Sequence, residues 1–288
     1  MGGVFVMIDT HMHIFDASLV ANDPNLRYRP TESALLKDYQ AACQPNGING
    51  CLFVQPSFLK YNNSYLAKEL NPSEDAPFRT WGVAVFDPKT SAEEIAQYKA
   101  KGVVGIRLNM VKKTEDAIKD IIAANKDLIC KVDAENMHLE LHIESTRLLW
   151  LLDLVTPLIR KVVIDHYGLP QEGKEGVIKG EPAAYKDLRK YADLSKLWFK
   201  TSGAYRVFPS MTHPEAVKNC VDLAADLAEI LPADHLIWGS DWPHTQNMHK
   251  IPGATPQERY KGVADTYALW SANGSLYNSD RSLAALLA

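Results

Sequence analysis

Short apolar, β-branched runs alternate along this chain with longer segments of helical period. Eight runs have strand length: Val4–Asp9, Gly50–Ser57, Thr80–Phe86, Val103–Asn109, Met137–Glu144, Lys161–His166, Leu197–Ser202 and His235–Asp241. Most end in Asp, Ser, Asn or Gly, as strands entering turns do. Helical segments fall between them at Thr31–Gln44, Asn63–Leu70, Ser91–Ala100, Thr114–Lys126, Ser145–Leu154, Glu181–Ala192, Pro214–Leu231 and Pro256–Trp270, with Asp280–Leu287 after the last. Ser91 with Glu94 three residues on has the form of a capping box. Eight β–α alternations predict parallel strands with helical crossovers, and eight is the number that closes a (β/α)8 TIM barrel. An open doubly wound sheet is the competing architecture. It would commonly carry a Gly-rich first turn for phosphate, whereas here the first strand runs into His11-Met12-His13. The units use nearly the whole chain, so one domain over residues 1–288 is expected.

Composition adds exclusions. With 46% hydrophobic and 23% charged residues, disorder, collagen and coiled coil are ruled out. Lys plus Arg number 31 against 35 Asp plus Glu, a net charge of −4, so nothing drives the chain toward nucleic acid or an anionic membrane. A basic pocket for a small anion is compatible with that balance. Cys43, Cys51, Cys130 and Cys220 form no C-x-x-C pair, and each lies in or beside an apolar stretch. Buried thiols in a reducing compartment are expected, with one disulfide as the weaker alternative. The N-terminal residues lack a basic segment and run straight into Asp9, which fits a strand better than a signal segment. No stretch nears the roughly 18–20 apolar residues that cross a bilayer. A cytoplasmic location is expected.

Chemistry in such barrels gathers at the C-terminal ends of the strands. Strand 1 ends in His11-Met12-His13, two histidines on one side of an extended chain and a natural pair of metal ligands or hydrogen-bond donors. In strand 5, Met137, Leu139, Leu141 and Ile143 alternate with His138, Glu140, His142 and Glu144, so the polar face should point into the barrel. His138 and Glu140 lie low, where a satisfied polar plug is the plainer reading. His142 and Glu144 lie nearer the mouth. On strand 4, Arg107 shares a face with Gly105 and Asn109, as a carboxylate clamp or as half of an internal ion pair with Glu140. On strand 6, Asp165 and His166 should face opposite ways. His166 is expected inward, with Val162 and Ile164. Arg206 lies in the loop after strand 7, and Asp241 ends strand 8. A barrel brings His11, His13, His142, His166 and Asp241 to one rim, a set with metal-ligand types and a candidate general base.

These motifs resemble the amidohydrolase superfamily in its amidohydrolase-related branch. Ile8-Asp-Thr-His-Met-His13 resembles its first-strand H-x-H, Asp165-His-Tyr-Gly168 its sixth-strand D-H-x-G, and Gly239-Ser-Asp-Trp-Pro243 its eighth-strand motif. Arg27-Tyr-Arg-Pro30, Val54-Gln-Pro-Ser57, Asn63-Ser-Tyr-Leu66, Gly105-Ile-Arg-Leu-Asn109 and Ser202-Gly-Ala-Tyr-Arg206 are similar to the group around 2-pyrone-4,6-dicarboxylate lactonase. The resemblance implies a barrel hydrolase, monomer or homodimer, that opens a small lactone. Asp241 would take a proton from the attacking water, and His11 and His13 would polarise the carbonyl directly or through one divalent ion, Zn²⁺ or Mn²⁺. His166 would serve as ligand or partner. His11, His13, His166 and Asp241 are thus the implied metal set if a metal is bound, while the pyrone branch works without one. Arg107 and Arg206, with Ser57 and His142, would hold a carboxylated substrate. The pyrone enzymes carry an arginine three residues after the strand-6 histidine, where this chain has Leu169, and a tyrosine where it has His142. Both departures point toward another lactone, such as a sugar lactone or a muconolactone-like acid. The alternative within the branch is a metal-dependent decarboxylase of a small aromatic or muconate acid. A non-enzymatic small-molecule binder ranks last.

Overall fold

The computed structural model describes residues 7–24, 26, 29–30, 32–170, 183–191, 193–208, 213–243 and 279–288. The expected helix Pro256–Trp270 lies outside them. Eight parallel strands follow in sequence order: β1 (Met7–Met12), β2 (Ile48–Val54), β3 (Arg79–Ala84), β4 (Val103–Asn109), β5 (His138–His142), β6 (Val162–Ile164), β7 (Leu197–Thr201) and β8 (Leu236–Trp238). The seam between β8 and β1 is tied by a parallel bridge of Met12 with Trp242, by His13 N to Trp242 O at 2.8 Å and by Asp241 N to His11 O at 2.7 Å. The chain is a (β/α)8-type barrel, as the alternation predicts.

The helices are α1 (Leu36–Cys43), α2 (Ser64–Lys68), α3 (Ala92–Lys101), α4 (Glu115–Ala134), α5 (Leu148–Val155), α6 (Ala183–Leu188), α7 (Ala204–Val207), α8 (His213–Ala228) and α9 (Ser279–Leu287). Ser91 caps α3 by accepting from Glu94 N, and left-handed Gly102 ends it. In α4 the stripe Ile118, Ile122, Asn125, Leu128, Ile129 and Val132 is buried at helical spacing. That stripe carries the helix past its expected end at Lys126 and leaves Cys130 on the opposite, exposed face, so Cys130 is not the buried thiol expected.

Two apolar layers result. Leu139, Leu141, Val162, Ile164 and Phe199 pack outward among Leu148, Leu151 and other helix residues. Ile8, Leu52, Val54, Trp81, Val83 and Val104 face inward around Leu283, while Val163, Trp198 and Ile237 surround Leu286. Helix α9 thus plugs the N-terminal end of the barrel. Lys161 Nζ to Leu286 O at 3.0 Å and Asn136 Nδ2 to Ala288 O at 2.9 Å fasten it there. The inward position on β6 is therefore Val163, and with it Asp165. Strand parity alone does not turn His166 inward.

Candidate active site

A bulge shapes the first strand end. Asp9 pairs with Cys51 and Met12 with Phe53, so β1 spends one residue more than β2 over this step. The extra residue lets both Ile8 and His11 face the interior, which a regular strand forbids. Asp9 stays on the helix side, wholly buried, and braces the seam. It accepts from His11 N at 3.1 Å, Ser240 N at 2.9 Å and the Tyr39 hydroxyl at 2.7 Å.

His11, His13, His166 and Asp241 converge. The ring centroids of His11 lie 5.1 Å from those of His13 and 4.7 Å from those of His166, with His142 a further 5.1 Å from His166. Asp241 Oδ1 sits 3.2 Å from His13 Nε2 and 3.7 Å from His11 Nε2. His166 and Asp241 both adopt left-handed backbone (φ 51° and 55°), a strained conformation for side-chain-bearing residues. The turn at His166 is what brings its ring to the site beside Asp165 instead of opposite it, and Nδ1 then pairs with Ser202 Oγ at 2.8 Å. Glycines make the room. A Cβ on Gly239 would fall 2.4 Å from His11 Cβ, and one on Gly203 would fall 2.8 Å from His166 Nδ1.

Charged groups below and beside the histidines pair off. Arg107 donates through Nε (2.8 Å) and Nη2 (2.7 Å) to Asp165 Oδ2, and its Nε is 3.4 Å from Glu140. Lys200, fully buried, donates to Glu140. Arg206 and the Tyr205 hydroxyl (2.5 Å) donate to Asp241 Oδ2. Arg206 is placed by the single turn α7, not by a loop as expected. Arg107 therefore makes the internal pair, chiefly with Asp165. Ser57 is exposed, on the wall of a cleft that Arg107 also lines. Asp165, Lys200, Tyr205 and Ser202 join the site without being among the residues the sequence picks out for it. The signal was there for Asp165, since an inward Arg107 needs a buried anion.

These pairs set protonation. Burial works to raise the Asp241 and Asp165 carboxyls, but Arg206 and His166 hold the first, and Arg107 and His11 the second, well below the usual carboxylate range. Burial pushes His11 and His142 well below an ordinary imidazole, and His166 down to about 4. Burial, with Asp165 nearby, raises Glu140 despite Lys200. His13 Nδ1 lies 2.7 Å from Val54 O, which can only accept, so that nitrogen carries a proton. Its Nε2 is then either the second N–H of an imidazolium facing Asp241 or a lone pair that needs a cation or water. His11 Nε2 and His166 Nε2 have no hydrogen-bond partner among the described residues, while His11 Nδ1 lies 3.2 Å from Asp165 Oδ1. Two groups bring their donor atoms within 4.8 Å of one another: His11, His13 and Asp241, and His11, Asp165 and His166. Buried, unpaired imidazole nitrogens beside ionised carboxylates fit a divalent ion.

Residues 8–262 match the family model described as Amidohydrolase. The chain belongs to the amidohydrolase family. Among curated proteins of this family it is 30% identical over 247 residues to a 4-sulfomuconolactone hydrolase of Rhizobium radiobacter, covering 82% of this chain and 75% of that one. It is 28% identical over 254 residues to a 2-pyrone-4,6-dicarboxylate hydrolase of Comamonas testosteroni, covering 85% and 79%. A solved amidohydrolase-type structure from Acinetobacter baumannii, described as a probable 2-pyrone-4,6-dicarboxylic acid hydrolase with citric acid bound, superposes with a TM-score of 0.77 at 26% identity, covering 97% and 98%. No described helix is long and apolar enough to cross a membrane.

Proposed function

We propose that this amidohydrolase opens a small carboxylated lactone by attack of a water held at Asp241 Oδ1. The observation that carries the reading is the position of that oxygen. Its sister Oδ2 is held by Arg206 Nε and Tyr205, while Oδ1, with only a long 3.5 Å contact from Arg206 Nη2, faces the Nε2 atoms of His13 and His11. Asp241, kept ionised by Arg206, takes the proton of the water as it adds to the lactone carbonyl. His13, and His11 beside it, face the oxygen on which negative charge develops, the place where a fixed donor lowers the barrier. Collapse of the adduct breaks the ring C–O bond, and the proton on Asp241 passes to the departing ring oxygen. Arg107 meets the acid group of the substrate, and Arg206 positions Asp241 beside it. His142 and Ser57 line the approach.

His11, His13, His166 and Asp241, with Asp165, would hold a divalent ion, which when bound supplies a Lewis acid for the carbonyl. The test is a lactone panel with a pH-indicator readout, run with and without chelator. Turnover of carboxylated lactones over neutral ones is expected. Absence of any lactone turnover, with or without added Zn²⁺ or Mn²⁺, overturns the reading. Loss of activity on chelation, restored by metal, assigns the ion.

A further inference from the structure

The turn that follows β6 carries a strain that its own bonds do not explain. His166, Tyr167, Gly168 and Leu169 all have positive φ, of 51°, 59°, 70° and 42°. L-residues visit the left-handed region singly, so four positions in a row need a restraint from outside the segment. Within it, Gly168 N donates to Asp165 O at 2.9 Å and Leu169 N to His166 O at 2.8 Å. A right-handed turn makes the same bonds, each three residues back, without the steric cost, so they do not choose the hand. The hand matters, because this turn carries the His166 ring to Ser202 Oγ, 2.8 Å from Nδ1, and to within 4.7 Å of the His11 ring.

A bond from the helix layer does choose it. The Tyr185 hydroxyl of α6 donates to Tyr167 O at 2.8 Å, and both residues are wholly buried. Burial lifts the Tyr185 phenol well above its usual range, so it keeps the proton it donates. Its ring meets that of Phe199 on β7 edge to face, with centroids 6.5 Å apart, which fixes where the hydroxyl sits. In a right-handed turn the Tyr167 carbonyl would point elsewhere, and this bond would be lost inside the protein, where an unmade bond is expensive. We infer that Tyr185 is a positioning residue for the reaction: its hydroxyl locks the left-handed turn after β6 and so keeps His166 at the site. It acts through the Tyr167 carbonyl, one residue from His166, and not on the reacting atoms. The inference rests on the lactone-hydrolase reading for its kinetic test, though not for its spectroscopic one.

The test is a double-mutant cycle of Tyr185→Phe with His166→Gln, read as kcat/KM on a lactone that the wild-type enzyme hydrolyses. Tyr185→Phe alone is expected to lose about tenfold, and less than about twofold once His166 is already glutamine. An equal loss in both backgrounds, or no loss in Tyr185→Phe, overturns the inference and leaves the lactone reading standing. Cys220→Ala controls for loosened packing, since wholly buried Cys220 bonds to the Tyr167 side chain. It should lower the thermal melt and hold kcat/KM within about twofold, whereas a loss as large as that of Tyr185→Phe would reduce the role to packing and overturn the inference. A second measurement needs no turnover: the imidazole nitrogen resonances of histidine-labelled protein, with the His166 signals assigned by their absence in His166→Gln. In Tyr185→Phe they should move for His166 and stay in place for His235, at the other end of the barrel, and unmoved His166 signals overturn the inference. If no lactone is hydrolysed, the lactone reading falls and this spectrum alone decides the role of Tyr185, as it does if His166→Gln is too slow to measure. Tyr185→Met, which removes the hydroxyl with a different shape, replaces Tyr185→Phe if that variant does not fold.

Discussion

Three basic side chains meet three acidic ones inside one barrel: Lys200 with Glu140, whose carboxyl burial pushes up to about 8, Arg107 with Asp165, and Arg206 with Asp241. Each pair is worth little net, because desolvation offsets attraction, yet each is expensive to break from one side. Lys200→Met strands Glu140 in the interior and should destabilise the fold by about 3–5 kcal/mol in urea titration, and adding Glu140→Gln should restore part of it. A cost below about 1 kcal/mol would show that the pair is not what holds Glu140. Asp241 carries a different burden. Asp241→Asn keeps the shape and can still accept from Tyr205, but it cannot take a proton from water. A drop in kcat of roughly 10²–10⁴ is expected, beyond the lowered thermal melt that follows from leaving buried Arg206 without its anion, and near-wild-type kcat would remove Asp241 as the base. The remaining side chains of the site act through these pairs. Arg206 orients Asp241, and Arg107, anchored by Asp165, presents one edge to the cleft.

Elements decide which of these residues can meet. Strand β5 is legible in the sequence because its polar and apolar positions alternate without interruption, and the structure keeps His138, Glu140 and His142 on one face, in register with Gly105, Arg107 and Asn109 of β4. The β1 bulge is not legible, because nothing in Asp9-Thr10-His11 announces an extra residue; only pairing with β2 reveals it. Strand β6 misleads for a related reason. It is three residues long, and the left-handed turn after it overrides parity, so Asp165 and His166 both reach the site. Lys200 with Glu140 joins strands two apart in the barrel, a contact that exists only once the sheet curls. Glycines record such contacts in reverse. A Cβ on Gly105 would sit 2.4 Å from His138 Nε2, so Gly105→Ala should cost about 1–3 kcal/mol through overpacking, read as a lowered urea midpoint, and no change would mean that the imidazole has room to move. At the barrel floor, Leu286 of α9 is 1% exposed among Val163, Trp198 and Ile237. Leu286→Ala should therefore cost about 2–5 kcal/mol while leaving the rim chemistry in place, and a kcat that falls with stability would show floor and rim to be coupled.

At the scale of the molecule, the barrel divides its histidines between two ends. The rim holds those of the site. The floor holds His138, at the start of β5, and His235, which stacks on Trp198 at 4.0 Å and pairs its Nδ1 with Leu197 O at 2.7 Å. Burial lowers both, His138 the further, with Lys200, Lys161 and Lys99 adding to the effect and Asp165 opposing it; Glu140 lies 3.8 Å from the ring. A group whose folded-state pKa is depressed binds protons more readily when unfolded. Stability from these two residues is thus fully present above the unfolded imidazole value of about 6.5 and drains away as pH falls below it. For wholly buried His138 the loss approaches about 1.4 kcal/mol per pH unit until its own folded value is reached. Urea unfolding at pH 7.5 and pH 5.0 should show the wild-type protein losing stability between them, with a smaller loss in His138→Gln, which cannot take up the proton. An identical loss in the variant would show that His138 is not the source of the acid sensitivity. The distinction matters for function, because a protein whose floor yields first loses its fold before the rim histidines titrate. Its activity at low pH would then fall as an unfolding transition, steeper than one proton allows and parallel to the loss of tertiary structure.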